Sequence, residues 1–266
     1  MEALSNTAII DPIKSYQYSL FLQDRWARQC AHKKVDPLIT FPGLKTWSSA
    51  TSSKLSVVKG SFRSRYQVNE ISTSVLGLLH SADASVIWVL KPMRAAEDSQ
   101  SSTSSIDIIK SLILQTLRTS SSYETEKSMS LSCAQFQTAQ TEDQWFALLG
   151  SVLARIDSEI FIVVDLDVVD PELAQISAPF SWPRAFLDLF GELSTRGCKI
   201  RVKVLLLSRS HLAYQEIDQS DVHNAVVPIK VAKSRPPKRR AGLGSNRSRI
   251  VKRRYARDRA RAGERS

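Results

Sequence analysis

IFIVVDLDVVDP, residues 160–171, holds five apolar residues in a row and then an acidic run that ends in proline. So short a run, rich in β-branched residues and bounded by charge, favours a strand over a helix. With no polar face, such a strand is buried on both sides, as in a parallel sheet covered by helices. The pattern recurs on either side. Leu55–Val58 is an apolar run ahead of Lys59-Gly60-Ser61, Ser85–Leu90 (SVIWVL) is another, and Val202–Leu207 a third. AVVPIKV at 225–231 is a fifth candidate strand, and Pro228, which cannot donate to a ladder, puts it at an edge.

Helical patterns fill the gaps. Residues 63–81 place Val68, Ile71, Val75, Leu78 and Leu79 on one side, and 106–118 is strongly amphipathic. Thr141-x-x-Gln144 is a capping box that opens a helix to about residue 156. Ser181 and Pro183 start another, which carries Phe186, Leu189, Phe190 and Leu193 and stops at Gly197. Near the start, Tyr18, Leu22, Trp26 and Cys30 recur every four residues along a helix at 15–32, before Pro37, Pro42 and Gly43 break the chain. The expected fold is α/β: a three-layer sandwich with a mainly parallel sheet over 50–231, an N-terminal helical leader over 1–49, and a basic tail over 232–266. Trp88, Trp145, Phe186 and Phe190 fall at core spacing, while Trp47 and Trp182 fall in loops near helix starts.

Composition agrees with a globular body. The 266 residues are 42% hydrophobic and 24% charged, which excludes collagen, a bare coiled coil and a fully disordered chain. The net charge of +11 is unevenly divided. Residues 230–266 hold 15 Lys/Arg against 2 Asp/Glu, a balance of +13, and residues 1–229 balance at −2. Such a tail repels itself, buries little and is expected to be disordered. Cys30, Cys133 and Cys198 are isolated and odd in number, which argues for a reducing compartment and against a zinc module. No signal pattern opens the chain and no apolar run approaches the ~20 residues of a membrane span, so an intracellular protein without a membrane partner is expected.

The order of strand plus KGSF, SVIWVLK, the helix DIIKSLILQTL, IFIVVD and KVLLLSR resembles the nucleotide-binding domain of fungal STAND-type (NACHT/NB-ARC-like) P-loop NTPases. The resemblance spans about residues 47–210. It implies a P-loop NTPase-like sheet, with Asp165 at the Walker B position and Arg209 at the sensor position. Its nucleotide-binding candidates are Lys59, Gly60, Ser61, Arg63, Arg65, Asp165 and Arg209. Both motifs are degenerate. A phosphate loop needs G-x-x-x-x-G-K-[ST], and no Gly-Lys-Ser/Thr follows Gly60. Arg63 and Arg65 at the helix start could hold a phosphate electrostatically, but not the Mg²⁺ that a hydroxyl would bind. The family continues its Walker B aspartate with carboxylates at +3 and +4, where this chain has Val168 and Val169. The expectation is a non-hydrolysing regulatory or interaction module with no resident cofactor, the alternative being residual binding of ATP or GTP with Mg²⁺.

Asp165-x-Asp167-x-x-Asp170-Pro171 also resembles the D-x-D-x-x-D-P segment of arginase-like ureohydrolases, which implies Asp165, Asp167 and Asp170 as candidate Mn²⁺ ligands. That family's D-A-H-x-D segment is missing, and His32, His80, His211 and His223 stand in no matching context. In the tail, Lys238-Arg239-Arg240 and Lys252-Arg253-Arg254 are separated by eleven residues and resemble a bipartite nuclear localisation signal. That implies a nuclear import receptor as partner and the nucleus as location. The same charge would attract nucleic acid through counterion release, without sequence preference.

Overall fold

The apolar runs all become strands, and the strands all point the same way. The computed structural model describes residues 10–30, 41–61, 64–91, 103–119, 136–170, 180–209 and 226–230. Among them, β1 (Lys54–Lys59), β2 (Val86–Val89), β3 (Glu159–Asp165), β4 (Arg201–Ser208) and β5 (Val226–Lys230) form one sheet in the order β2-β3-β4-β1-β5. Every neighbouring pair is parallel, with Asp165 beside Leu207 and Lys59 beside both Ser208 and Lys230. Pro228 lies on the outermost strand, where its missing N–H costs no ladder bond to a further strand.

Alternate residues along each strand feed two cores, because successive side chains leave opposite faces. Leu55, Val57, Ile160, Ile162, Val164, Val204 and Leu206 face one helical layer. That layer consists of α4 (Ser105–Thr119), α5 (Glu142–Leu153) and α6 (Trp182–Thr195). Val58, Phe161, Val163, Leu205 and Leu207 face the other core, built with α2 (Pro42–Ser48) and α3 (Arg65–Ser81). The chain is therefore a three-layer α/β sandwich. The capping box forms as expected: the Gln144 amide donates to Thr141 Oγ1 at 3.3 Å, and Gln144 Oε1 accepts from the Thr141 amide. Gly197 ends α6 in the left-handed region at φ +69°, as a helix C-cap requires.

Two features differ from the sequence-based expectation. The segment at 42–48, expected as broken chain, is a short helix started by Pro42, and it drives Trp47 fully into the core, edge-on to Phe161 at 5.6 Å. Trp182, expected in a loop, opens α6 and packs with Phe146, Phe180 and Phe186. α1 (Pro12–Cys30) packs on α3 and β2 within the compact unit Met1–Lys233. A second unit, Ser234–Ser266, holds the six basic residues of the two clusters and lies outside the described residues, as does the tail's expected disorder.

The edge strand β2 is closed by a side chain. Gln115 of α4 accepts from the Trp88 amide at 3.0 Å and donates to the Trp88 carbonyl at 2.8 Å, as a neighbouring strand would. On β4, Lys203 occupies a fully buried position. Its ammonium donates to the carbonyls of Trp47 and Ala50 at the end of α2, where the helix dipole is negative, and lies 3.7 Å from Glu159 Oε1. Burial pulls its pKa below the ordinary lysine value, and Glu159 offsets this only in part. The native site thus binds its proton less tightly than the unfolded chain does, so Lys203 favours folding more as pH rises. Lys203→Met leaves the Trp47 and Ala50 carbonyls without their donor and Glu159 without its buried partner, and should destabilise the fold by about 3 kcal/mol at neutral pH. In urea melts the wild type should gain on this variant as pH is raised from neutrality toward 10, which is the check on the burial argument.

Candidate functional site

In an open parallel sheet, ligands sit beyond the carboxyl ends of the strands, where adjacent connections leave toward opposite faces. Here the chain leaves β1 for α3 on one face and leaves β3 for α6 on the other, and β4 ends between them. The ends of the three central strands, β1, β4 and β3, lie side by side at this edge.

Asp165 closes β3, and the chain turns at once through a single 3-10 turn, Leu166–Val168. The turn is fixed by Asp165 Oδ1, which accepts from the Asp167 amide at 3.1 Å. Val168 is buried in the core and Val169 packs against it, half-buried. Asp167 swings toward the end of β4. Its Oδ2 accepts from the Arg209 amide at 2.9 Å and also from Arg209 Nε. The Arg209 Nη2 then reaches both oxygens of Asp165, at 3.2 and 3.4 Å. One guanidinium thus bridges two carboxylates, and its three side chains are between 13% and 21% exposed.

The loop after β1 is drawn in from the other side. The Gly60 amide donates to the Ser208 carbonyl at 2.8 Å, which ties the first residue of the loop to the end of β4. A Cβ on Gly60 would stand 2.5 Å from Val68 Cγ2 and 3.5 Å from Arg209 Cγ, so only glycine fits this approach. The Ser61 amide donates to Ser64 Oγ at 2.7 Å, and the Ser64 amide returns to the Ser61 carbonyl at 2.9 Å. The N–H groups of Gly60 and Ser61, which a phosphate cradle would aim at its ligand, are therefore used inside the protein. Arg65, on the first turn of α3, donates to the Tyr66 hydroxyl at 3.0 Å and lies over the Tyr66 ring.

The structure thus brings together Gly60, Asp165 and Arg209, with Ser61 close by in sequence and Lys59 beside Ser208 in the ladder. Arg63 lies outside the described residues. Asp170 goes elsewhere: its amide donates to the Thr103 carbonyl at 3.0 Å. Among the described residues no three His, Cys, Asp or Glu side chains are placed to hold a metal ion, and the Asp165-Asp167-Asp170 set does not converge. Asp167 was legible only as a metal ligand. Its service to Arg209 depends on the 3-10 turn, which no residue of the run announces.

The electrostatics are those of a nearly dry cluster. Burial pushes the Asp165 pKa up from 3.8 to about 6; Arg209 pulls it down and the neighbouring Asp167 pushes it up. For Arg209, burial alone would lower the pKa, but the two carboxylates outweigh it and the guanidinium holds its proton more tightly. A carboxyl whose native pKa is raised favours folding fully below its unfolded value and loses that contribution as pH climbs through the native value. The Asp165→Asn chain, which has no such titration, should therefore gain on wild type between pH 4 and pH 6. The slope is at most about 1.4 kcal/mol per pH unit. Denaturant melts across that window provide the check, and a flat difference would contradict the raised pKa. No family model and no curated protein matches the chain, so the site rests on its own residues.

Proposed function

We propose that this chain is a P-loop-derived, STAND/NACHT-like module that does not hydrolyse nucleotide and serves as a regulatory or interaction scaffold. One observation carries it: the group at the sensor position, Arg209, is bound to the group at the Walker B position, Asp165, and to Asp167. Phosphoryl transfer is catalysed by positioning and by charge placed on the transferring group. A cation already neutralised by two carboxylates has little left for a γ-phosphate, and a carboxylate with both oxygens on a guanidinium is poorly placed to orient water or Mg²⁺. The packing of Val168 in the core and of Val169 against it, and the inward use of the Gly60 and Ser61 amides, support the same reading. The P-loop ancestry itself is supported by the adjacency of β1, β4 and β3, which sets Gly60, Arg209 and Asp165 at one edge.

In single-turnover assays, Mg²⁺-ATP and Mg²⁺-GTP should disappear at the rate of buffer alone. Thermal melts should not move with either, whereas a ligand at a hundredfold its Kd would add about 2.7 kcal/mol of stability. Hydrolysis that Asp165→Asn abolishes would overturn the proposal.

A second reading is favoured by the balance of +13 held after residue 229. In it the tail recruits an import receptor and nucleic acid, and the scaffold works in the nucleus. Replacing Lys238, Arg239, Arg240, Lys252, Arg253 and Arg254 with Gln in the full chain should disperse a fluorescent copy from the nucleus. It should also flatten the salt dependence of duplex DNA binding. Unchanged localisation and unchanged salt slope would remove this reading.

A further inference from the structure

Arg209 has one more carboxylate than its charge requires. Asp165 alone reaches the guanidinium through both oxygens, at 3.2 and 3.4 Å from Nη2. Asp167 adds a second carboxylate at 17% exposure, which leaves one negative charge in excess in a nearly dry place. The two aspartates oppose each other, for Asp167 pushes the Asp165 pKa up on top of what burial does. Burying a further charge costs free energy that the ion pair barely returns. Asp167 is not needed to join the strands either, since β3 and β4 already pair as far as Asp165 and Leu207. A local conflict of this kind points to a use.

The contacts of Asp167 show the use. One oxygen, Oδ2, accepts from the Arg209 amide at 2.9 Å and from Arg209 Nε. A main-chain N–H and the edge of a guanidinium converging on one oxygen is a way to hold an oxyanion. These donors are fixed by neighbours other than Asp167. The amide belongs to the residue that follows β4, and the stem of Arg209 lies beside Gly60, whose Cβ would stand 3.5 Å from Arg209 Cγ. Gly60 is tied in turn to the Ser208 carbonyl at 2.8 Å. Lys91, just beyond β2, is near enough to pull the Asp165 pKa down, so the surroundings favour negative charge. Without Asp167 the amide and Nε of Arg209, a side chain only 21% exposed, would lack an acceptor, and such donors cost free energy until one arrives.

We propose that Asp167 is a built-in ligand, whose carboxylate fills an oxyanion seat made by the main-chain amide and guanidinium of Arg209, and that the seat takes a small oxyanion such as phosphate once Asp167 is withdrawn. The inference rests on reading this edge as a former phosphate cradle, and it assigns the loss of anion binding to one side chain. Tethering explains why the seat stays closed in the native chain. A carboxylate held on the adjacent strand exit competes at an effective concentration that a free ion does not match.

Thermal melts of the full chain in inorganic phosphate, at fixed ionic strength and without nucleotide or Mg²⁺, test it. Phosphate stabilises folded proteins in general, so the wild type sets the baseline. Asp167→Ala vacates the seat and should bind phosphate about tenfold more tightly than wild type, read as a saturable rise in melting point above that baseline. Asp167→Asn removes the charge but leaves the seat filled, and should gain much less. Combining Asp167→Ala with Arg209→Gln should abolish the gain. If Asp167→Ala does not fold, Asp167→Ser, which also leaves room and keeps a small acceptor for the Arg209 amide, carries the same expectation. No gain over wild type in the variant that folds, an equal gain in Asp167→Asn, or a gain that survives Arg209→Gln would each overturn the built-in ligand. The non-hydrolysing reading is tested on the wild type with nucleotide, so the two fail separately.

Discussion

A strand that is apolar on both faces has no side to give to water, and this one constraint organises the molecule. β3 and β4 must lie inside a sheet with helices above and below, and parallel pairing with helical crossovers is the connection that provides both layers. Parallel pairing then puts every strand's carboxyl end at one edge. Gly60, Asp165 and Arg209, far apart in the chain, meet there because β1, β3 and β4 had to be buried together.

The cluster at that edge reflects a second constraint, the cost of isolating charge from water. A lone buried carboxylate would shift its pKa until it neutralised, and Asp165 goes part of the way. Arg209 supplies the rest by bridging both aspartates, with its backbone amide fixed by one of them. Such a pair contributes little to stability by itself, because desolvation offsets the attraction. Its effect is geometric: it locks the exits of β3 and β4 together, and the Gly60–Ser208 hydrogen bond adds the exit of β1.

Strands and long helices were legible because their patterns are long, and apolar periodicity has only one way to be buried. The Thr141 capping box was legible for the opposite reason, since it depends on two residues and no tertiary contact. What was hidden depended on distant partners. Pro42 and Gly43 read as breakers, yet Pro at the first turn starts a helix, and the buried Lys203 caps the other end through carbonyls over 150 residues away in sequence. In α1 the four-residue spacing of Tyr18, Leu22 and Trp26 identified a helix but not its buried side. That side was decided by Asn69 and Thr73 of α3, which chose Ser19 and Gln23. At the site, the positions of Asp165 and Arg209 followed from strand order, while their mutual engagement required a turn of three residues that sequence does not mark.

The amide of Gln115 has a bearing on how this protein behaves in a crowd. An open rim of a sheet offers a row of donors and acceptors to any passing extended chain, and polymerisation through such rims is a standing hazard of β structure. On β2 the donor and acceptor of Trp88 are already taken by one side chain borrowed from the next helix. A foreign segment would first have to evict Gln115 from two hydrogen bonds before it could add. The residue acts as a chain terminator, ending sheet growth on that side at the cost of a single buried amide.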